Sequence, residues 1–534
     1  MQIIALTTPD YIICIFYLLL ITALGAYFYR GQKTTKDFFL AGKSMGWLPV
    51  GLSLMATLTS GIGYIGQPTG ALKFGIMTIW GLLAIPLSFP IVIWVFMPFY
   101  HRLNVYTAYE YMEKRFNVSI RSLTSGIFIV WRITWMATAI YVPSMVLNVV
   151  TDGKLPLIPS IIVLGILATL YTAMGGVKAV IWTDVIQFAI MFGGMITAAV
   201  IIVMNVDGGI SGIWSSMEKQ GMTRFIAHLD GWGNASILEK FKLYLYTDAT
   251  VLAIIVSYTV GKMGNYCVDQ VMVQRYLTAR DLKTSRRGFV CNCFAYCFYI
   301  LSMTLVGAAL IAFSQEHNFP ENLQKDQIFP YFITNVMPLG IAGLMVASIY
   351  AASMSSLDSG VNSCITAFTN DFYNRLWLKK ETLEDKTITA KEQSKNLYMA
   401  RIASLILGVI VTFLACFVGS MGDVFVISAK LINGFIGPLF GLFILAMFTR
   451  KAHAYPVLIA GIVGAFITGL TIFADKLGFD AFNVGIMWPS TIGVVTTVTL
   501  GYVLSWIIPE PSHNGRDWTF LAVMKKSKEN VDAE

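Results

Sequence analysis

Charge is what this chain has least of. Of its 534 residues 13% are Asp, Glu, Lys or Arg and 56% are apolar, whereas soluble domains carry roughly a quarter charged residues. No charge falls between Lys43 and Lys73, Lys73 and Arg102, Arg287 and Glu316, or Asp326 and Asp358. Each gap exceeds the ~20 residues with which a helix crosses a bilayer, so a water-soluble globule is excluded. Alternation of polar and apolar positions is missing as well, which excludes a membrane β-barrel and leaves helices as the spanning form.

Cysteine and histidine are scarce. The seven cysteines all lie in apolar segments, where they behave as small hydrophobes, and no disulfide framework is implied. Cys291, Cys293 and Cys297 do not converge on one helical face, so they read as packing and not as a metal cluster. The five histidines fall in loops or span ends, against haem ligation or a membrane proton relay. A GxxxxGK[ST] loop, an HExxH helix and a serine elbow are all missing, which argues against ATP-driven pumping and against an enzyme. The net charge of +8 follows topology and is not gathered on a soluble face, so nucleic acid is not an expected partner.

What is present is an all-α polytopic membrane protein with about 13 transmembrane helices. The apolar segments predict spans at 8–29, 46–72, 75–100, 122–150, 156–174, 179–205, 247–273, 288–314, 333–368, 399–419, 424–448, 453–474 and 484–508. The ninth is long enough to include a lead-in segment. With this count 27 of the 38 basic residues fall on one side. Eight fall on the other: Lys73, Lys154, Lys219, Arg224, Lys240, Lys242, Lys325 and Lys476. The positive-inside bias then puts the N-terminus outside and the C-terminus in the cytoplasm of a cell whose plasma membrane holds the chain. RGQKTTKDF after the first span is not a cleavage site, so that span is expected to stay as an anchor.

Glycine and proline interrupt two spans, the second at SGIGYIGQPTGA and the seventh at YTVGKMGNY. Irregular backbone at membrane depth is tolerated beside a cavity. The two interruptions lie five spans apart, which predicts a five-plus-five inverted repeat with two broken core helices. The organisation expected is a leading helix and loop (1–45), a first repeat of five helices (46–205), an extracellular loop (206–246), a second repeat (247–448), and two trailing helices with a tail (449–534). The informative charged residues, those expected to be buried within the spans, are Arg132, Asp184, Lys262, Asp269, Asp358 and Lys430, and an ionised group there costs several kcal/mol unless paired or hydrated. Asp184 and Asp269, near span ends, are expected to pair with neighbours such as Lys178 or Arg275. AASMSSLDSGVNS in the ninth span concentrates hydroxyls around Asp358, and oxygen ligands of this kind suit a hard cation.

Five ordered segments resemble the sodium/solute symporter family, whose members carry sugars, proline, iodide, vitamins, monocarboxylates and sialic acids: KTTKDFFLAGKSMGWLPVGLSLMAT, TAYEYMEKRF, YTAMGGVKAVIWTDVIQ, DQVMVQRYLTA and AASMSSLDSGVNS. The resemblance runs from residue 8 to about 450. It implies broken first and sixth core helices and a co-transported sodium ion bound by the carbonyls of Ala56, Thr59 and Ala352 and the hydroxyls of Ser355 and Ser356. Asp184, with Ser355, Asp358 and Ser359, is similar to a second sodium site of the sialic-acid branch, although Asp358 departs from the hydroxyl found there. Substrate positions implied are Thr57, Ser60, Gln67, Arg132, Lys262, Asn265 and Lys430. Lys262 and Lys430 fall where sugar carriers have neutral amides, and Arg132 lies one turn before a carboxylate-binding arginine of the sialic-acid branch, which is Trp135 here.

The function expected is sodium-coupled import of a small solute by alternating access, with a single chain sufficient and a carboxylate-bearing solute such as a sialic acid or a monocarboxylate preferred. A neutral sugar or amino acid is the nearer alternative. A channel or a sensor is the more distant one, against which stand the lack of a pore-loop filter and of an output domain. Asn234, in NASIL, is a candidate glycosylation acceptor.

Overall fold

The computed structural model describes the chain apart from residues 1–5, 30–40, 104, 228, 230–231, 318, 321–322, 380–389, 433, 510–514 and 533–534. Part of the first resemblance segment, 33–40, and the basic residues Arg30, Lys33 and Lys36 therefore lie outside the described residues. Among the described residues the secondary structure is helical, with one isolated bridge between Met45 and Ala279. Among the described residues nine helices are long and apolar enough to cross a membrane, with shorter apolar helices beside them.

In chain order the first helices are α1 (Thr8–Tyr29), α2 (Trp47–Leu58), α3 (Gly61–Phe74), α4 (Ala84–Ile91), α5 (Met97–Leu103), α6 (Glu110–Arg115) and α7 (Val118–Val150). They continue with α8 (Leu157–Asn205), α9 (Gly209–Lys219), α10 (Ile237–Tyr246), α11 (Val251–Val268), α12 (Gln270–Thr278), α13 (Leu282–Glu316), α14 (Ile328–Val336) and α15 (Ile341–Ala367). The last are α16 (Ala390–Val418), α17 (Val424–Ile427), α18 (Ile436–Phe448), α19 (Ala454–Leu477), α20 (Pro489–Ile507) and α21 (Phe520–Asp532). The lead-in expected before the ninth span is α14.

Three expectations need correction. The fifth and sixth predicted spans carry no helix break between 174 and 179, because α8 is helical over 49 residues. Those would extend about 73 Å if straight, and the only proline in the helix, Pro159, sits in its first turn. The first break is not inside SGIGYIGQPTGA but at its leading edge, Thr59–Ser60, where ψ swings to 71° and 166°. The second is not at YTVGKMGNY, which stays helical, but at Asp269 (ψ 119°). There the Asp269 carboxylate caps the start of α12 by accepting from Val271 N at 3.0 Å, satisfying a backbone donor that a new helix leaves free. The freed carbonyls of Cys267 and Val268 accept from the hydroxyls of Tyr100 (2.7 Å) and Tyr109 (3.2 Å).

Close approach explains one glycine of the first break. A Cβ on Gly61 would lie 2.0 Å from Ser353 Oγ, so glycine there lets α3 lie directly on α15. Beyond the spans, TAYEYMEKRF folds as α6 and its lead-in. Arg121 joins it to the end of the α15 span, pairing with Asp371 at 2.7 Å and with Glu113 at 2.8 Å, and Arg375 meets Glu113 at 2.6 Å.

Candidate functional site

At the first break the helical ladder ends with Thr59 N donating to Met55 O (2.9 Å) and resumes with Tyr64 N donating to Ser60 O (3.0 Å). Carbonyls between these points lie outside the helical ladder, and that of Thr57 faces α15. Ser356 Oγ bridges the gap, donating to Thr57 O at 2.8 Å. Ser355 and Ser356 are both fully buried. The arrangement brings the main chain at Thr57 next to Ser356 on α15, and oxygens so grouped are of the kind that suits a hard cation.

Asp184, fully buried on α8, sits beside this region. Its carboxylate accepts from Ser355 (2.6 Å), Thr57 (3.4 Å), Ser53 and Arg275 (3.0 Å). The Arg275 guanidinium also donates to Ser53 (2.8 Å), to Val271 O (2.9 Å) and to Ser359, whose hydroxyl lies 3.1 Å from that of Thr57. Arg275 is buried on α12, and of the partners suggested for Asp184 it, and not Lys178, makes the ion pair. The residue was visible in DQVMVQRYLTA, but nothing in the spacing says that the short helix after the second break turns this arginine inward.

Asp269 pairs with Arg132 instead of Arg275, and both side chains are fully buried. The Arg132 guanidinium is flanked by the rings of Trp131 and Trp135, with centroids 4.9 and 4.3 Å away. Asp358 accepts from Thr172 at 2.6 Å. Lys430, in the π-helical turn Ser428–Ile432, meets Asp475 at 3.2 Å, so its acidic partner is not Asp358.

A cavity of about 110 Å3 lies beside the first break. It brings together Ser60, Gln67, Lys262 and Asn265 of the expected substrate positions, with Trp135, Tyr258, Tyr296, Tyr299 and Ser428. Thr57, Arg132 and Lys430 are not in its wall. Lys262 Nζ stands 3.7 Å from the centroid of the Tyr296 ring and 5.8 Å from that of Tyr266. Among the described residues it has no carboxylate partner. Gln67 donates to Thr304 at 3.2 Å. Trp135 is in the wall, whereas Tyr64 donates to Met191 O (3.3 Å) and Trp80 to Phe225 O (2.8 Å). Tyr258, Tyr296 and Tyr299 were not anticipated, since tyrosines in an apolar helix are read as core until a neighbour leaves space for them. No cluster of His, Cys, Asp and Glu suited to a metal occurs among the described residues, and the seven cysteines are free.

Comparison with known proteins bears on this geometry. The model of the sodium:solute symporter family matches residues 38–464. The chain is 30% identical to a sodium/sialic acid symporter, NanT, of Aliivibrio fischeri, over 93% of this chain and 92% of that one. It is 31% identical to a sodium-dependent multivitamin transporter of Oryctolagus cuniculus, over 92% and 76%. The solved structure of a substrate-bound, outward-open Na+-coupled sialic acid symporter superposes with a TM-score of 0.80 at 26% identity, covering 95% of this chain and 99% of that one. The chain thus belongs to the sodium:solute symporter family, and sodium-coupled symport is its activity.

Proposed function

We propose that the solute carried with sodium is a small organic anion bearing a carboxylate, such as a sialic acid or a monocarboxylate, and that Lys262 is the residue that meets it. One observation carries this reading: the cavity beside the broken helix contains a half-buried lysine that lies against the Tyr296 ring and has no carboxylate partner among the described residues. An ammonium so placed gains most from an anion that enters with the substrate. Ser60, Gln67 and Asn265 supply polar contacts around the anion, and Trp135, Tyr258 and Tyr299 an apolar wall. The relatives' names for sialic acid and for vitamins are in keeping with carboxylate substrates.

Sodium, a co-substrate, is assigned to the carbonyls of Ala56, Thr59 and Ala352 and the hydroxyls of Ser355 and Ser356. Of the oxygens considered for a second sodium, those of Asp184 and Ser359 already accept from Arg275, and Ser355 donates to Asp184. Asp358 bonds Thr172 on α8. The guanidinium supplies the positive charge that Asp184 needs, so the reading adopted is one sodium per substrate. A single chain is taken to transport by itself. The basic loops face the cytoplasm, with the N-terminus outside.

Uptake by purified protein in proteoliposomes tests this. Radiolabelled sialic acid and short monocarboxylates should accumulate with an inward sodium gradient and not with potassium, and hexoses should not. Accumulation of hexoses alone refutes the anion reading, and a reversal potential that requires two sodium ions refutes the stoichiometry.

A further inference from the structure

Outside the transport site the structure has a second concavity that symport does not use. It is an open groove of about 960 Å3 between the start of α2 and the first turns of α13. One end is lined by Lys283, Arg286 and Arg287, and the remainder by Trp47, Val290 and Phe294. Lys283 and Arg287 are exposed and form no ion pair with any described residue. The neighbouring acid, Asp281, is engaged by Arg280 at 3.5 Å and by its cap on Thr284 N at 2.7 Å. Arg286 is oriented by donating to Ile93 O at 3.2 Å. Lys283, in the first turn, opposes the positive end of the helix dipole, and neither it nor Arg287 has a counter-charge among the described residues.

The apolar end identifies the source of that compensation. Phe294 is 75% exposed and Trp47 44%, on helices whose outer faces meet lipid. Lys283 and Phe294 are separated by about 16 Å along the helix axis, so one end of the groove is cationic at interface depth and the other apolar at acyl depth. We infer that this groove is a binding site for one anionic phospholipid, its phosphate held by Lys283, Arg286 and Arg287 and a chain lying along Val290 and Phe294. Basic pockets between membrane helices at this level take anionic headgroups. The groove floor bears on transport as well. α2 and α13 touch at glycine, a Cβ on Gly51 coming within 2.6 Å of Gly288 O, and α2 goes on to provide Ala56, Thr57 and the first break. A bound lipid steadies the foot of the helix that carries the ion-binding carbonyls.

Native mass spectrometry of the full chain, released from nanodiscs of phosphatidylcholine containing phosphatidylglycerol, provides a test that does not depend on the substrate. The native protein should retain one phosphatidylglycerol that K283Q/R287Q loses, with affinity lowered roughly 25-fold, about fivefold per basic residue. The charge-conserving K283R/R287K should retain it, which separates lost charge from lost fold. Sodium-driven uptake by the native protein should rise when phosphatidylglycerol is added to the liposomes, and uptake by K283Q/R287Q should not. Equal retention of phosphatidylglycerol by native and K283Q/R287Q protein overturns the site. So does loss of phosphatidylcholine in the same proportion, or displacement of the lipid by millimolar inorganic phosphate, which would make the site one for free phosphate.

Discussion

Replacing Lys262 with glutamine separates a substrate-binding role from a structural one. In the described structure the ammonium faces the Tyr296 ring at 3.7 Å and pairs with no acid, so its loss breaks no internal ion pair. A cation–π contact of this kind contributes about 0.5–2 kcal/mol, and removing the desolvated charge offsets much of that. Thermal unfolding in detergent should therefore move by only a few degrees. Substrate binding should suffer more, because a hydrogen bond to a charged group contributes about 1.5–3 kcal/mol. That is about a 10- to 150-fold rise in KM. The interaction forms when substrate binds and is not reserved for a later step, so Vmax should change far less than KM. The assay is sodium-driven uptake of the carboxylate substrate over a wide concentration range, with the melting temperature measured in parallel. An unchanged KM refutes the assignment of Lys262, and an unchanged KM with a large fall in melting temperature would make the lysine structural.

Ser356→Ala removes an oxygen from the proposed sodium site and the bond to Thr57 O; the sodium concentration for half-maximal uptake should rise at least about tenfold with insertion unchanged, and undiminished sodium affinity would move the site elsewhere. Asp269→Ala leaves Arg132 buried without its partner, which should lower stability by about 3–5 kcal/mol in denaturant titration, whereas Arg132→Met with Asp269→Leu should recover much of the loss; a mild effect of the single change would mean that the pair is not formed. Glu110, outside the spans on α6, has its carboxyl pushed up to about 7 by burial, against an opposing pull from Arg121. Between its unfolded value near 4.5 and about 7 the folded chain holds a proton that the unfolded chain has released, so stability should fall as pH rises through that window. Glu110→Gln should flatten the fall seen in melting temperature against pH, and an unaltered slope would place the titration elsewhere.

The helical membrane class, the family and the hydroxyl cluster around Ser355 and Ser356 were legible in the sequence, because they depend on local composition. A charge-free run of about 20 residues must span, and a serine-rich stretch in such a run stands out against its surroundings. The positions of the helix breaks were legible only to within a turn or more. Glycine and proline mark where a helix can be interrupted, but Asp269 shows that capping and tyrosine partners across the bundle choose where it is. Pairing among buried charges was legible only in part: Arg275 stood among the partners expected for Asp184, whereas the Arg132–Asp269 pair was not foreseen. Arg132, Asp184, Asp269, Arg275, Lys262 and Lys430 are spread over about 300 residues, and which of them meet depends on how α7, α8, α11 and α12 rotate about their axes when they pack. The sequence by itself determined that this chain spans a membrane and carries a solute with sodium. Only the tertiary structure decided which cation remains without an acid beside the cavity, because burial makes every unpaired charge costly and packing alone determines which carboxylate comes within reach of which base.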